Sequence, residues 1–164
     1  MKPTDPCDHK IDPAEQQRWV YLNAFIAQLT KAAPVDYTAL NQGSNVHPMD
    51  KSLYAIWLMQ MALENGGCAL DALVNTASMP AACAWFIYGA DRLWANVQNN
   101  RVYSEGSSTK AGDKYSSKAW TGFERERWDT WMQELETAKG LCSNEGTKGL
   151  IGNALACMKR AMDQ

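Results

Sequence analysis

The chain has 164 residues, with 16 basic and 18 acidic side chains, a formal net charge of −2 and 46% hydrophobic residues. This length is typical of one globular domain, which buries about 70% of the surface of its unfolded chain. The slight acidic excess argues against a nucleic-acid-binding protein, which needs clustered basic side chains. No apolar run approaches the roughly 20 residues that span a bilayer. Seven tryptophans are the unusual feature of the composition.

The first residues and the cysteines give two expectations about the cell compartment. Residues 1–12 contain prolines and acids but no apolar segment of the kind found in signal peptides. We therefore predict a flexible N-terminal tail on a cytoplasmic protein. The five cysteines are odd in number and lack C-x-x-C spacing, and we expect them to stay reduced in that compartment.

Two helices are predicted in the first 65 residues. The first, residues 13–31, follows an Asp12-Pro13 start signal. We expect it to bury one stripe of large side chains at helical spacing, namely Trp19, Leu22, Phe25, Ile26 and Leu29. The second helix, residues 49–65, is apolar nearly all round, so we expect it to be covered by neighbours on several sides.

The rest of the chain predicts more helices and one long loop. A short connector helix over residues 68–76 leads to a long helix over residues 80–98. Residues 99–121 lack any periodicity, and because a loop of this length is usually functional or disordered, we predict a loop or lid there. Two further helices follow, over residues 123–139 and 145–162. The predicted fold is therefore all-α, a single-domain bundle of about five main helices over residues 13–164.

Glu64 is the first candidate for chemistry. It lies in the last turn of an apolar helix, where the helix dipole disfavours an acid, and it shares a sector of that helix with Trp57 and Gln60. An ion pair with Arg92 or Arg127 would compensate for its burial. Without such a partner its pKa would be raised, and it could act as an acid or a base. The sequence leaves both alternatives open.

A second candidate lies on the long helix. Trp85, Tyr88 and Arg92 fall within about 60° of one another, with Asp91 beside Tyr88. This pattern indicates an aromatic wall with a cationic anchor, since an arginine on an aromatic face gains about 0.5–2 kcal/mol. In the alternative, Trp85 packs against another element and Arg92 pairs with a carboxylate.

Other kinds of site have little support. There are only two histidines, His9 and His47, which is too few for a zinc site with several histidine ligands. The sequence has no phosphate-binding or dinucleotide-binding glycine motif, so we expect neither a metal nor a cofactor. Trp128 and Trp131 are three residues apart and are predicted to belong to the core.

Two tryptophan-rich segments carry a resemblance to a known family. Residues 85–94 fit the pattern W-F-x-Y-x-A-D-x-L-W, and residues 122–131 fit G-F-x-x-E-R-W-x-x-W. The helix around residues 53–64 is also similar. In these segments the chain resembles an uncharacterised family of small all-helical proteins of filamentous fungi. The resemblance implies an all-helical fungal protein and implies no activity.

Two functions from different classes follow from the sequence. In the first, an aromatic-lined pocket closed by residues 99–121 binds an apolar or aromatic small molecule. Whether the protein also catalyses a cofactor-independent cyclisation or isomerisation in fungal secondary metabolism stays open. The predicted binding residues are Trp57, Gln60, Trp85, Tyr88, Arg92 and Trp120, and the predicted catalytic residues are Glu64 and Asp91. In the second, the domain is a non-enzymatic protein–protein interaction module that uses exposed Trp and Arg. A homodimer fits either function, and we expect no nucleic-acid or membrane partner.

Overall fold

All the regular elements of the computed structural model, which describes residues 12–103 and 108–164, are helices. The α-helices in these ranges are α1 (Pro13–Ala32), α2 (Tyr37–Asn41), α3 (Ser52–Leu63), α4 (Leu70–Leu73), α5 (Ser78–Gln98), α6 (Arg125–Leu141) and α7 (Glu145–Met162). A turn of 3-10 helix, Asp113–Tyr115, lies between α5 and α6. The described residues contain no β-strand, and an isolated β-bridge joins Val102 to Gly122. The predicted all-α fold is confirmed.

The long helix α5 is the centre of the bundle. It contacts α1, α3, α6 and α7, and its inner side carries much of the aromatic core. The ring of Phe86 lies 5.6 Å from that of Trp128 and 6.2 Å from that of Trp131, measured between centroids. All three rings are fully buried. The predicted core positions of Trp128 and Trp131 are therefore confirmed, and tryptophans fill space that leucines fill in many helical bundles.

The two helices α1 and α5 run parallel, and α1 faces α5 with a different side from the one predicted. Its buried residues are Asn23, Ala27 and Thr30. The predicted stripe is wrong at Leu22 and Phe25, which are 45% and 61% exposed. Small and polar side chains lie inward because the two backbones approach closely at Gly89, opposite Ala27.

Two helices begin two or three residues later in the chain than predicted, and in each case an acidic side chain binds the backbone near the helix start. α3 begins at Ser52 rather than at residue 49, because Asp50 accepts hydrogen bonds from the Ser52 N–H at 3.1 Å and from its hydroxyl at 2.6 Å. α6 begins at Arg125 rather than at residue 123, because Glu124 accepts from the Gly122 N–H at 3.0 Å. Such local bonds from side chain to backbone favour a turn over a helix.

Backbone hydrogen bonds join the two ends of the segment predicted as a loop or lid to each other. The Tyr103 N–H donates to the Thr121 carbonyl at 3.1 Å, and the Phe123 N–H donates to the Arg101 carbonyl at 2.9 Å. Residues 104–107 of this segment lie outside the described ranges, as do residues 1–11 of the predicted tail.

The cysteines depart from expectation at one position. Cys68 is disulfide-bonded, so the expectation that all five stay reduced is wrong there. Cys83, Cys142 and Cys157 are free thiols. Burial raises the pKa of the Cys83 thiol to about 12, which keeps it protonated at neutral pH and makes it a poor nucleophile.

None of the helices in the described ranges has the length and apolar character needed to cross a membrane.

Candidate functional site

Glu64 forms a buried ion pair with Arg127. The Arg127 Nε donates to Glu64 Oε1 at 2.7 Å and its Nη2 donates to Glu64 Oε2 at 3.0 Å. Both side chains are 0% exposed. Two further donors reach the carboxylate, the Trp131 indole N–H at 2.7 Å and the Gly112 amide at 2.7 Å. Each carboxylate oxygen therefore accepts two hydrogen bonds, so this buried charge is compensated.

The remaining donors of Arg127 hold the chain between α5 and α6. Nη1 donates to the carbonyls of Thr109 at 2.7 Å and Gly122 at 3.1 Å, and Nη2 donates to that of Lys110 at 3.2 Å. The guanidinium also lies over two indole rings, 5.6 Å from the centroid of Trp120 and 5.5 Å from that of Trp131. The Glu64–Arg127 pair thus connects α3, α6 and residues 109–122. Of the two alternatives that the sequence left open for Glu64, the structure shows the ion pair, with Arg127 as the partner.

Trp57 and Gln60, predicted to line a pocket with Glu64, bind the same segment. The Trp57 indole N–H donates to the Ser108 hydroxyl at 2.6 Å, and the Gln60 amide donates to the Ser108 carbonyl at 2.8 Å. Trp120 is buried, and its indole N–H donates to Glu126 at 2.9 Å. These three side chains fix residues 108–120 against α3 and α6.

The second predicted cluster forms the junction of α1 and α5. Arg92 donates to the carbonyls of Thr30 at 2.8 Å and Ala33 at 2.5 Å, so it caps the C-terminal end of α1, where carbonyls lack helical partners. Trp85 is fully buried and donates to Asn23 at 3.0 Å.

Asp91 and Tyr88 lie on the outer side of this junction. Asp91 Oδ2 accepts from the Lys31 ammonium at 3.0 Å, and its Oδ1 has no hydrogen-bond partner among the described residues. Tyr88 is 43% exposed. The eight predicted site residues therefore belong to two separate regions, one around Glu64 and one between α1 and α5. The aromatic-lined pocket that would unite them stays a prediction.

Sequence reasoning missed a third polar cluster, around Asp50. Its carboxylate accepts from Arg101 Nη1 at 2.7 Å and from Ser52, and both charged side chains are buried. The Asn96 amide donates to the Ser52 hydroxyl at 3.0 Å, and the Tyr37 hydroxyl donates to Asn96 Oδ1 at 2.8 Å. The available signal was an acid two residues before the start of α3. No group of three or more potential metal ligands lies within the described ranges.

The Asp50 cluster predicts a loss of stability in acid. Burial raises the pKa of Asp50, but the hydrogen bonds from Ser52 and the charge of Arg101 together outweigh it, so the pKa lies below its ordinary value of 3.8. A lowered pKa means that the ionised form stabilises the fold above about pH 3.8, and that this contribution is lost as the pH falls through the folded-state pKa. We expect the difference in unfolding free energy between wild type and Asp50→Asn, measured in urea, to shrink below about pH 4. A difference that grows on acidification would contradict the assignment.

A shallow groove lies beside the Asp50 cluster. Its volume is about 370 Å³, and its lining includes the apolar side chains of Pro34, Val35 and Leu40 and the polar side chains of Asp36 and His47. The His47 Nδ1 accepts from the Met49 N–H at 3.2 Å, which leaves Nε2 as the nitrogen available to a ligand. None of the eight predicted site residues lines this groove.

Exposed apolar side chains lie on the outward face of α1, which we define as the side opposite to Asn23, Ala27 and Thr30. Tyr21 is 66% exposed and Phe25 is 61% exposed, one helical turn apart. Two members of the stripe that we expected to be buried, Leu22 and Phe25, are exposed on or beside this face, whereas Tyr21 was not part of that stripe.

Comparison with known proteins places the chain in a family. A family described as "protein of unknown function (DUF3632)" matches residues 2–135, which is most of the chain. The chain belongs to the DUF3632 family. This confirms an uncharacterised family, and it adds no activity. No curated protein and no solved structure matches the chain.

The part of this DUF3632 protein that matches the family contains the features described above. Residues 2–135 include α1 with its outward face, the Glu64–Arg127 pair and the Asp50 cluster. The match ends inside α6, so α7 follows the matched region although it packs closely on α5.

Proposed function

We propose that the protein is a non-enzymatic interaction module that binds a partner protein through the outward face of α1. The observation that carries this proposal is the exposure of Tyr21 and Phe25, 66% and 61%, together with Leu22 at 45%. Adjacent exposed apolar side chains on one helix face are typical of interaction sites. Tyrosine is also enriched among the residues that dominate binding energy.

The state of the polar side chains supports a binding role over catalysis. Glu64 is enclosed with four hydrogen-bond donors around it, so a substrate could reach it only after the Glu64–Arg127 pair had separated. Arg92 is bound to backbone carbonyls. The tryptophans are buried or partly buried, so the binding surface we propose consists of Tyr and Phe rather than the exposed Trp and Arg of the sequence hypothesis. A cytoplasmic location and a fungal origin stay predictions.

Photo-crosslinking in cells of the native host tests this proposal. With p-benzoylphenylalanine in place of Phe25, we expect a discrete adduct whose linked peptide contains position 25. Tyr21→Ser should weaken this adduct, because it removes the neighbouring aromatic contact. The matched control carries the same photo-reactive residue at Leu141, which is 50% exposed on α6. Equal adducts at both positions, or none at position 25, would refute the proposal.

A further inference from the structure

The outward face of α1 has the side-chain spacing of a helix that pairs with another helix. Six of its exposed residues recur at alternating intervals of four and three, namely Ala14, Arg18, Tyr21, Phe25, Gln28 and Ala32. The spacing from position 14 to position 32 averages about 3.6 residues, one helical turn, and places the side chains along one seam, as at helix–helix interfaces. The opposite side of α1 already packs on α5, so α1 carries a second, solvent-exposed seam.

The six side chains of this seam follow nearly the same order of types from the N-terminal end of α1 as from its C-terminal end. From the ends inward the seam has a small residue, a long polar residue and an aromatic residue, and the centre lies at the level of Asn23. If two copies of α1 pair antiparallel about that level, residue number n lies opposite residue 46 minus n. Tyr21 then meets Phe25 of the partner subunit, and Arg18 meets Gln28 of the partner subunit. An isologous contact of this kind requires a self-complementary patch.

The charges on α1 favour the antiparallel direction. Glu15 lies in the first turn and Lys31, which also pairs with Asp91 of its own chain at 3.0 Å, lies in the last turn. Antiparallel pairing brings the acidic end of one helix beside the basic end of the other and opposes the two helix dipoles, whereas parallel pairing brings like ends together. The alanines at positions 14 and 32 allow close approach where the seam ends.

We propose that the partner bound by the outward face of α1 is a second copy of this chain, in an antiparallel α1–α1 pair. The inference rests on the proposed function and names its partner. One helix pair buries less than the roughly 1,600 Å² of a standard interface, so we expect a weak dimer whose population depends on protein concentration. The two contacts of Tyr21 with Phe25 of the partner subunit are its centre.

Sedimentation equilibrium and site-directed crosslinking of the purified full chain test this inference. We expect the mass to rise from 18.2 kDa toward about twice that value as the concentration increases. Positions 14 and 32 are about 27 Å apart along α1 at 1.5 Å per residue. A short bismaleimide should therefore link an Ala14→Cys chain to an Ala32→Cys chain but should not link two Ala14→Cys chains. Wild type with its native cysteines gives the background.

Matched variants separate the dimer from the wider proposal. Phe25→Ser should raise the dimer dissociation constant at least about tenfold, as expected for a central aromatic contact, whereas Leu141→Ser should leave it unchanged. The chain could instead be a monomer at every concentration while position 25 still crosslinks a different protein. That result would overturn the proposed dimer but would leave the proposed interaction module standing. A monomer without any adduct, or with an adduct inside its own chain, overturns both. Linkage of two Ala14→Cys chains overturns the antiparallel pair.

Discussion

Arg127→Met is expected to lower the free energy of unfolding by about 3–5 kcal/mol, because it leaves Glu64 as an unpaired charge in the interior. Both side chains are 0% exposed, so solvent cannot replace the lost partner. Methionine keeps much of the aliphatic volume of arginine, which limits the effect to the guanidinium. The control is Lys159→Met, which removes an ion pair with Glu136 whose partners are 60% and 51% exposed. Exposed pairs of this kind contribute about 0–1 kcal/mol.

The double variant Glu64→Leu with Arg127→Met distinguishes a simple ion pair from the wider network. Apolar replacement of both members of a buried pair is often neutral or stabilising. Here we expect the double variant to stay well below wild type, since the carbonyls of Thr109, Lys110 and Gly122 lose their donor and buried unsatisfied groups cost about 1–3 kcal/mol each. Urea unfolding measures all variants, and recovery of the double variant to wild-type stability would contradict the network.

Gly122→Ala is expected to destabilise the fold by about 3 kcal/mol or more, while the same substitution at Gly149 stabilises it. A Cβ at position 122 would lie 2.2 Å from the Arg101 carbonyl oxygen and 2.7 Å from the Val102 Cα, so the backbone must separate at the β-bridge. A Cβ at Gly149, inside α7, meets nothing within 4 Å, and alanine in a helix gains about 0.5–1 kcal/mol over glycine.

Thermal unfolding of these two variants gives shifts of opposite sign. For a chain of this size, 1 kcal/mol corresponds to about 2–6 °C in Tm. We therefore expect Gly122→Ala to melt at least about 6 °C below wild type and Gly149→Ala to melt a few degrees above it. Equal shifts in the two variants would show that residues 101–102 do not pack against Gly122 as described.

The helical pattern could be predicted from the sequence because it depends on local spacing and capping. The last helix, residues 145–162, is found at its predicted position. The orientation of α1 could not be predicted in this way, because its large side chains suggested a buried stripe. Its direction is set instead by contacts with residues far along the chain, such as Asn23 with Trp85 and Thr30 with Arg92.

In the candidate site too, the features that depend on local sequence could be predicted, and those that depend on contacts between distant residues could not. An acid at position 64 in an apolar helix indicated a compensating partner, and Arg127 was one of the two arginines considered. The sequence could not choose between Arg92 and Arg127, because each lies in a different helix whose packing depends on the whole fold. Nor could it show that Arg92 binds backbone carbonyls, since backbone acceptors leave no residue pattern to read.

The arrangement around Arg127 also bears on the order in which the chain folds. Its guanidinium needs α3, residues 109–110 and residue 122 in place together, and bringing the charge out of water before then is unfavourable. We therefore expect these contacts to form after the transition state for folding. Their loss should appear mainly as faster unfolding, with the refolding rate nearly unchanged. The Glu64–Arg127 pair is then expected to slow unfolding, and so to lengthen the time for which the native state persists once it has formed.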